Sequence, residues 1–273
     1  MRKVSAMKKY RSFFKLRFLQ GLQYRAAAWA GVVTQFAWGF LALAAFSAFY
    51  ETDPAAFPMS FQDVVAYIWL QQAFLALFNV WMMENEIFDT ILNGNIAYEL
   101  CRPIRIYNMW MARSLANRFS RAVLRCFPIL IVAFLVPEPY RLKFPPSLGI
   151  FLLFVLSAAL GTAVATAFCM LVYALTFFTI SPQGVRMIFA TMVEFLAGGV
   201  IPIPFMPDAV RSVVEILPFA SMQNAPLRIY SGSLPARETA VMIGLQVFWL
   251  LVLVIMGSTL CRLAERRACI QGG

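Results

Sequence analysis

The chain has 273 residues, 61% of them apolar and only 13% charged, against about 25% charged in an average soluble domain. Lys and Arg number 23 against 13 Asp and Glu, a net charge of +10, and histidine is absent. This balance excludes a disordered chain and an ordinary cytosolic enzyme, whose helices need polar faces, and leaves no His-containing triad, His-ligated metal or imidazole switch.

In chain order, the first predicted element is a basic and aromatic helix over about 8–25. Phe14, Phe18 and Leu22 fall on one stripe with Arg11 and Arg25 near it. Such a helix either lies at the inner membrane surface or simply anchors the first span. The stretch Ala26 to Phe49 holds no charge, and it exceeds the roughly 20 residues that cross about 30 Å of hydrocarbon. It reads as a retained anchor rather than a signal peptide. The acidic, proline-broken stretch 51–60 ends it, and a second span runs from about Val64 to Met83.

The connector from Glu84 to Pro103 starts as a short acidic helix, turns at Asn93-Gly94 and runs to a proline. Ile87, Phe88, Ile91 and Leu92 recur at helical spacing, with Glu86 and Asp89 beside them. Exposed to the cytosol, that apolar face would have nothing to bury it. A partner protein would cover it; the alternative is that these side chains dip into the membrane interface.

The apolar run Cys126 to Val136 is too short to cross. It reaches span length by extending back through Arg118, Arg121 and Arg125, which share one helix face and can snorkel to headgroups. Prolines 137, 139, 145 and 146 close this third span. From Leu148 to Pro204 only Arg186 and Glu194 are charged, which leaves room for spans four and five about a Ser181-Pro182-Gln183-Gly184 turn. Pro207-Asp208 signals a helix start with Asp208 placed to cap it. Ala209, Val210, Val213, Val214 and Leu217 give that helix one apolar face, but about ten residues cannot span, so it lies in the outer interface or dips in and returns. The sixth span is about Ala240 to Leu260.

The predicted fold class is therefore an all-α integral membrane protein with six transmembrane helices, forming one permease-like domain over 1–273. Its non-spanning parts are 1–25, 84–115 and 205–239. With the N-terminus inside, 18 of the 23 basic residues fall in cytoplasmic segments, which orients both ends to the cytoplasm. Charges clustered between apolar runs do not make a nucleic-acid surface. The five cysteines show no CxxC spacing and occupy no external loop, so neither a metal site nor a disulfide is expected. Ser157, Gly161 and Ala165 repeat every fourth residue and permit close helix approach, within the subunit or at a dimer seam. Gln35, Gln71, Gln72 and Glu194 are the intramembrane polar candidates for a pathway or gate; an isolated carboxylate there costs roughly 2.5 to 3.5 kcal/mol to insert.

No GxxxxGK[ST] phosphate loop occurs, so any ATP-driven step needs another polypeptide. The six-span plan resembles the ABC-2 family of ATP-binding-cassette permeases, especially small bacterial members often paired with a related permease. The resemblance rests on Gly94, Tyr98-Glu99-Leu100 and Arg102-Pro103 after the second span, on Glu194 to Pro204, and on Leu217-Pro218-Phe219-Ala220-Ser221-Met222. It implies that Glu86, Ile87, Phe88, Asp89, Ile91, Leu92, Gly94, Tyr98, Glu99, Arg102 and Pro103 form a coupling segment docked on an ATPase dimer. It also implies a second permease copy or relative, ATP and magnesium on the partner rather than this chain, and residence in the bacterial plasma membrane. A non-transporting assembly or sensor protein stays open as an alternative. A membrane-embedded lipid-modifying enzyme is the poorer one, since it would need a cluster of acids, histidines or cysteines.

Overall fold

The computed structural model describes residues 6–53, 57–102, 104–179 and 181–267, and all regular structure among them is helical. In chain order these are α1 (Ala6–Gly21), α2 (Arg25–Thr52), α3 (Phe61–Phe78), α4 (Asn85–Leu92), α5 (Ile96–Leu100), α6 (Ile106–Leu135), α7 (Leu148–Thr176) and α8 (Pro182–Leu196). A 3-10 turn (Ile203–Phe205), α9 (Asp208–Val214), α10 (Asn224–Ser231) and α11 (Ala236–Arg267) complete the chain.

Serine caps set three of the starts. Ser60, Ser147 and Ser181 accept hydrogen bonds from the backbone N–H of Asp63, Ile150 and Gly184 at the heads of α3, α7 and α8, satisfying donors that a helix start leaves free. Asp208 does not cap α9 as expected. Pro207 occupies the cap position without a side-chain bond, and Asp208 instead pairs with Arg211 at 3.0 Å.

Four helices among the described residues, α2, α3, α7 and α11, are long and apolar enough to cross a bilayer. The two other expected spans differ from their predicted form. The 30-residue α6 starts well before the expected third span, so residues 106–115 of the supposed connector are helix. Its arginines do not snorkel as a set. Arg118 is 5% exposed and donates to the carbonyl oxygens of Leu77 (2.8 Å) and Asn79 (2.7 Å), closing the C-terminal end of α3. Arg121 pairs with Glu84 at 3.8 Å. The fifth span is not one helix either. The 15 residues of α8 rise about 22 Å, short of the hydrocarbon thickness, and the chain then turns at Gly198 (φ 82°). Pro202 and Pro204 keep the following segment out of regular helix.

The interior forms around α3, which is buried on every side: Val64, Tyr67, Ile68, Trp69 and Leu70 all lack exposure. A helix apolar all round belongs in a core. By contrast α2, α7 and α11 leave Trp29, Phe40, Leu152, Leu251 and Ile255 exposed, surface that a bilayer accommodates. The Ser157-Gly161-Ala165 stripe is buried inside the chain rather than forming a dimer seam. Ser157 and Gln246 exchange hydrogen bonds of 2.9 and 3.0 Å between α7 and α11, and a Cβ at Gly161 would strike the Met222 carbonyl oxygen.

The connectors gather at two ends. At one, the Arg105 N–H donates to the Tyr10 hydroxyl (3.2 Å) and Arg186 to the Trp81 carbonyl (3.1 Å). At the other, Gln62 donates to Arg141 O (2.7 Å), Tyr230 to Lys143 O (3.0 Å), and the Phe57 and Phe205 rings lie 5.8 Å apart.

Candidate functional site

The segment after α3 folds as the sequence suggests. α4 ends near Asn93, Gly94 adopts φ 69°, and α5 comes next; a left-handed residue there favours glycine. Pro103 lies outside the described residues. The expected bare apolar face is absent, because it is turned inward. Ile87 is 0% and Phe88 6% exposed, and the Phe88 ring meets Tyr173 of α7 edge-on at 5.0 Å. Ile91 packs against the same core. The reason lies in the neighbours: α6 and α7 offer Met109, Trp110, Phe168 and Tyr173 as an apolar bed, so burial needs no second chain.

Polar contacts fix α4 from every direction. Glu86 accepts from Arg113 of α6 and pairs with Arg17 of α1 at 3.6 Å. The backbone N–H of Glu84 donates to the Tyr173 hydroxyl at 2.6 Å. Arg186 of α8 donates to the Asn85 side chain and lies 5.8 Å over the Phe88 ring. In α5, Glu99 accepts from the Trp110 indole at 2.7 Å. Of the residues expected to couple, those left outward are Glu86, which is held by its arginine partners, and Asp89, Leu92 (59% exposed), Tyr98 (75%) and Arg102, which are not.

The intramembrane candidates separate. Gln71 donates to the Gly199 carbonyl at 2.6 Å, and one turn earlier Tyr67 donates to Gly198 O at 3.2 Å. Gln223 adds a donor to Gly198 O at 3.3 Å. These bonds satisfy the carbonyls released where α8 breaks, which would be costly to bury unpaired. Glu194 falls near the middle of the stretch 182–205, but not in the middle of a helix. It sits in the last turn of α8, half-buried, and accepts from the Asn79 side chain at 3.0 Å. No cation pairs with it among the described residues. Gln72 packs under Gly39 of α2. Gln35 is 4% exposed, with neither its amide oxygen nor its nitrogen hydrogen-bonded.

The polar stripe of α3, then, is Tyr67, Gln71 and Asn79 on one face. Asn79 was not singled out from the sequence, and Arg118 was read only as one of three arginines reaching the headgroups. The spacing of eight from Gln71 and twelve from Tyr67 was the available signal for Asn79; for the buried role of Arg118 there was none, since its oxygen acceptors are backbone carbonyls.

Residues 36–272 match the family described as ABC-2 family transporter protein. The chain belongs to that family. No curated protein matches it. As an ABC-2 permease it is a component of membrane transport, and four of its described helices are long and apolar enough to cross a bilayer. In this ABC-2 chain the α4–α5 unit is wired to α7 and α6, and the break after α8 is wired to α3.

Proposed function

We propose that this permease is the membrane-spanning subunit of an ATP-driven exporter in the bacterial plasma membrane. It crosses six times with both ends cytoplasmic, α6 serving as the third crossing and α8 with the coil 197–205 as the fifth. A separate ATPase dimer binds ATP and magnesium, and two permease chains, identical or related, enclose a path along α2, α3 and α8. The basic residues support this orientation, since 18 of 23 lie in the segments assigned to the cytoplasm.

One observation carries the coupling role: α4 touches α1, α6, α7 and α8 at once, through Glu86, Phe88 and Asn85. A push on its outer surface is therefore transmitted to four helices without passing through a flexible loop. The inward face supplies the rigidity, and Asp89, Leu92, Tyr98 and Arg102 supply the contact. Glu194 and Gln71 stand where the fifth crossing breaks, next to α3, and Gln35 and Gln72 stand on the α2–α3 side. A relative movement of α8 must exchange the bonds of Glu194 and Gln71, so these two form the gate and Gln35 and Gln72 line the path beside it.

Tyr98→Ala and Asp89→Lys test the contact. An exposed aromatic seated in a partner pocket carries about 2 kcal/mol or more, roughly thirtyfold in affinity. Co-purification of the ATPase should fall in both variants while membrane insertion is unchanged. Parental binding together with parental coupling of hydrolysis in both would remove α4–α5 from the mechanism.

A further inference from the structure

A cavity of about 550 Å³ opens beside the start of α11, in the size range of small-molecule sites. A second cavity of about 250 Å³ adjoins it, sharing Pro58, Arg228, Pro235 and Glu238. Three guanidiniums line the pair, from Arg211, Arg228 and Arg237, and three carboxylates, from Asp63, Glu215 and Glu238. Some of these charges are already used: Arg228 pairs with Glu215 at 3.2 Å and Arg211 with Asp208 at 3.0 Å. Arg237 and Glu238, at the mouth, make no ion pair among the described residues. On the floor Asn224 is 1% exposed, and its side-chain oxygen has no hydrogen-bond donor. A buried polar atom left in this state is costly, and a guest carrying N–H groups would satisfy it.

The other wall is apolar, formed by Val241, Met242 and Leu245 of α11. From Ala236 to Leu245 the helix descends about 13 Å. The headgroup layer on one side of a bilayer is only about 5 to 8 Å deep, so the cavity reaches from that layer into hydrocarbon. Its mouth offers an unused positive and an unused negative charge, and its inner wall faces acyl chains.

The geometry points to a binding site for a zwitterionic aminophospholipid, with the phosphate at Arg237 and the primary ammonium between Glu238 and the Asn224 oxygen. A purely anionic headgroup would leave the carboxylates facing it, and a quaternary ammonium has no N–H to give Asn224. A guanidinium holds phosphate oxygens in charge-assisted bonds, while the acyl chains run along α11. The site is independent of the direction of transport and of the ATPase contact.

The test is selective retention. The full chain is exchanged into micelles holding equal amounts of phosphatidylethanolamine, phosphatidylcholine and phosphatidylglycerol with identical acyl chains, repurified, and its bound lipid measured by mass spectrometry. Phosphatidylethanolamine should be enriched about tenfold over each competitor, the scale of one charge-assisted hydrogen bond. Arg237→Ala and Glu238→Gln, both exposed positions whose loss leaves the fold intact, should each abolish most of that enrichment. Bound lipid that mirrors the micelle, dominance of phosphatidylglycerol, or undiminished enrichment in both variants would overturn the site. Free phosphoethanolamine displacing the lipid as well as a short-chain phosphatidylethanolamine does would overturn the lipid occupant.

Discussion

Glu194 stood out in the sequence because a carboxylate amid apolar residues is expensive, and that reasoning needs no structure. Its partner was hidden: Asn79 lies 115 positions away, at the end of a helix whose length is set by its own packing. Phe88 shows the opposite limit. Its spacing with Ile87 and Ile91 announced an apolar face, but spacing alone does not say which surface covers it, and Tyr173 of the same chain does. Glu194→Gln separates charge from hydrogen bonding. A glutamine oxygen still accepts from Asn79, so the turn after α8 remains held, and removal of a half-buried charge does not cost stability. The variant is expected to melt no lower than the parent in detergent and to lose transport in reconstituted vesicles, with ATPase stimulation falling alongside. Normal transport would take Glu194 out of the gate; failure to assemble would make it a structural group.

At the scale of elements, the serine caps were legible in principle, since Ser60, Ser147 and Ser181 act through atoms within three residues of themselves. The one cap read in advance, however, was Asp208, which pairs with Arg211 instead. The break after α8 was not legible, because its carbonyls are satisfied by Tyr67, Gln71 and Gln223 from other segments. The close approach of α7 was readable as a small-residue stripe, though not the surface it meets. Gly161→Ala tests that approach. Its Cβ would meet the backbone of Met222, which cannot rotate away as a side chain would, so α7 must shift from the 221–222 segment at a cost of about 1 to 3 kcal/mol. Gly244→Ala on α11 is the control, because a Cβ there meets nothing within 4 Å and the change favours helix by up to about 1 kcal/mol. Thermal melting in detergent should show a lower midpoint for the first and an equal or higher one for the second. Equal melting of both would mean that Gly161 does not set the α7 packing.

For the whole molecule, charge and connectivity make one joint prediction about sidedness. Basic residues orient a permease by their excess in cytoplasmic segments, which places 51–60, 137–147 and 205–239 outside and 84–103 and 262–267 inside. The fold contributes a separate constraint that does not use charge. Residues 57, 141, 143, 205 and 230 meet at one end through Phe57–Phe205, Gln62 to Arg141 and Tyr230 to Lys143, whereas Tyr10, Trp81, Arg105 and Arg186 meet at the other. The short α8 makes this informative. If it merely dipped in and returned, 205–239 would share a side with the turn at 181, yet Phe205 packs against Phe46 and Phe57 instead. Reporter fusions within 57–60, 137–147 and 205–239 are expected to give one external signal, and fusions within 84–103 and after 262 the cytoplasmic one. A cytoplasmic signal from 137–147 would remove α6 as a crossing, since its arginines would then have kept it at the inner surface. Disagreement between 137–147 and 205–239 would instead remove α8 with its coil, and with it the placement of Glu194 and Gln71 along the path.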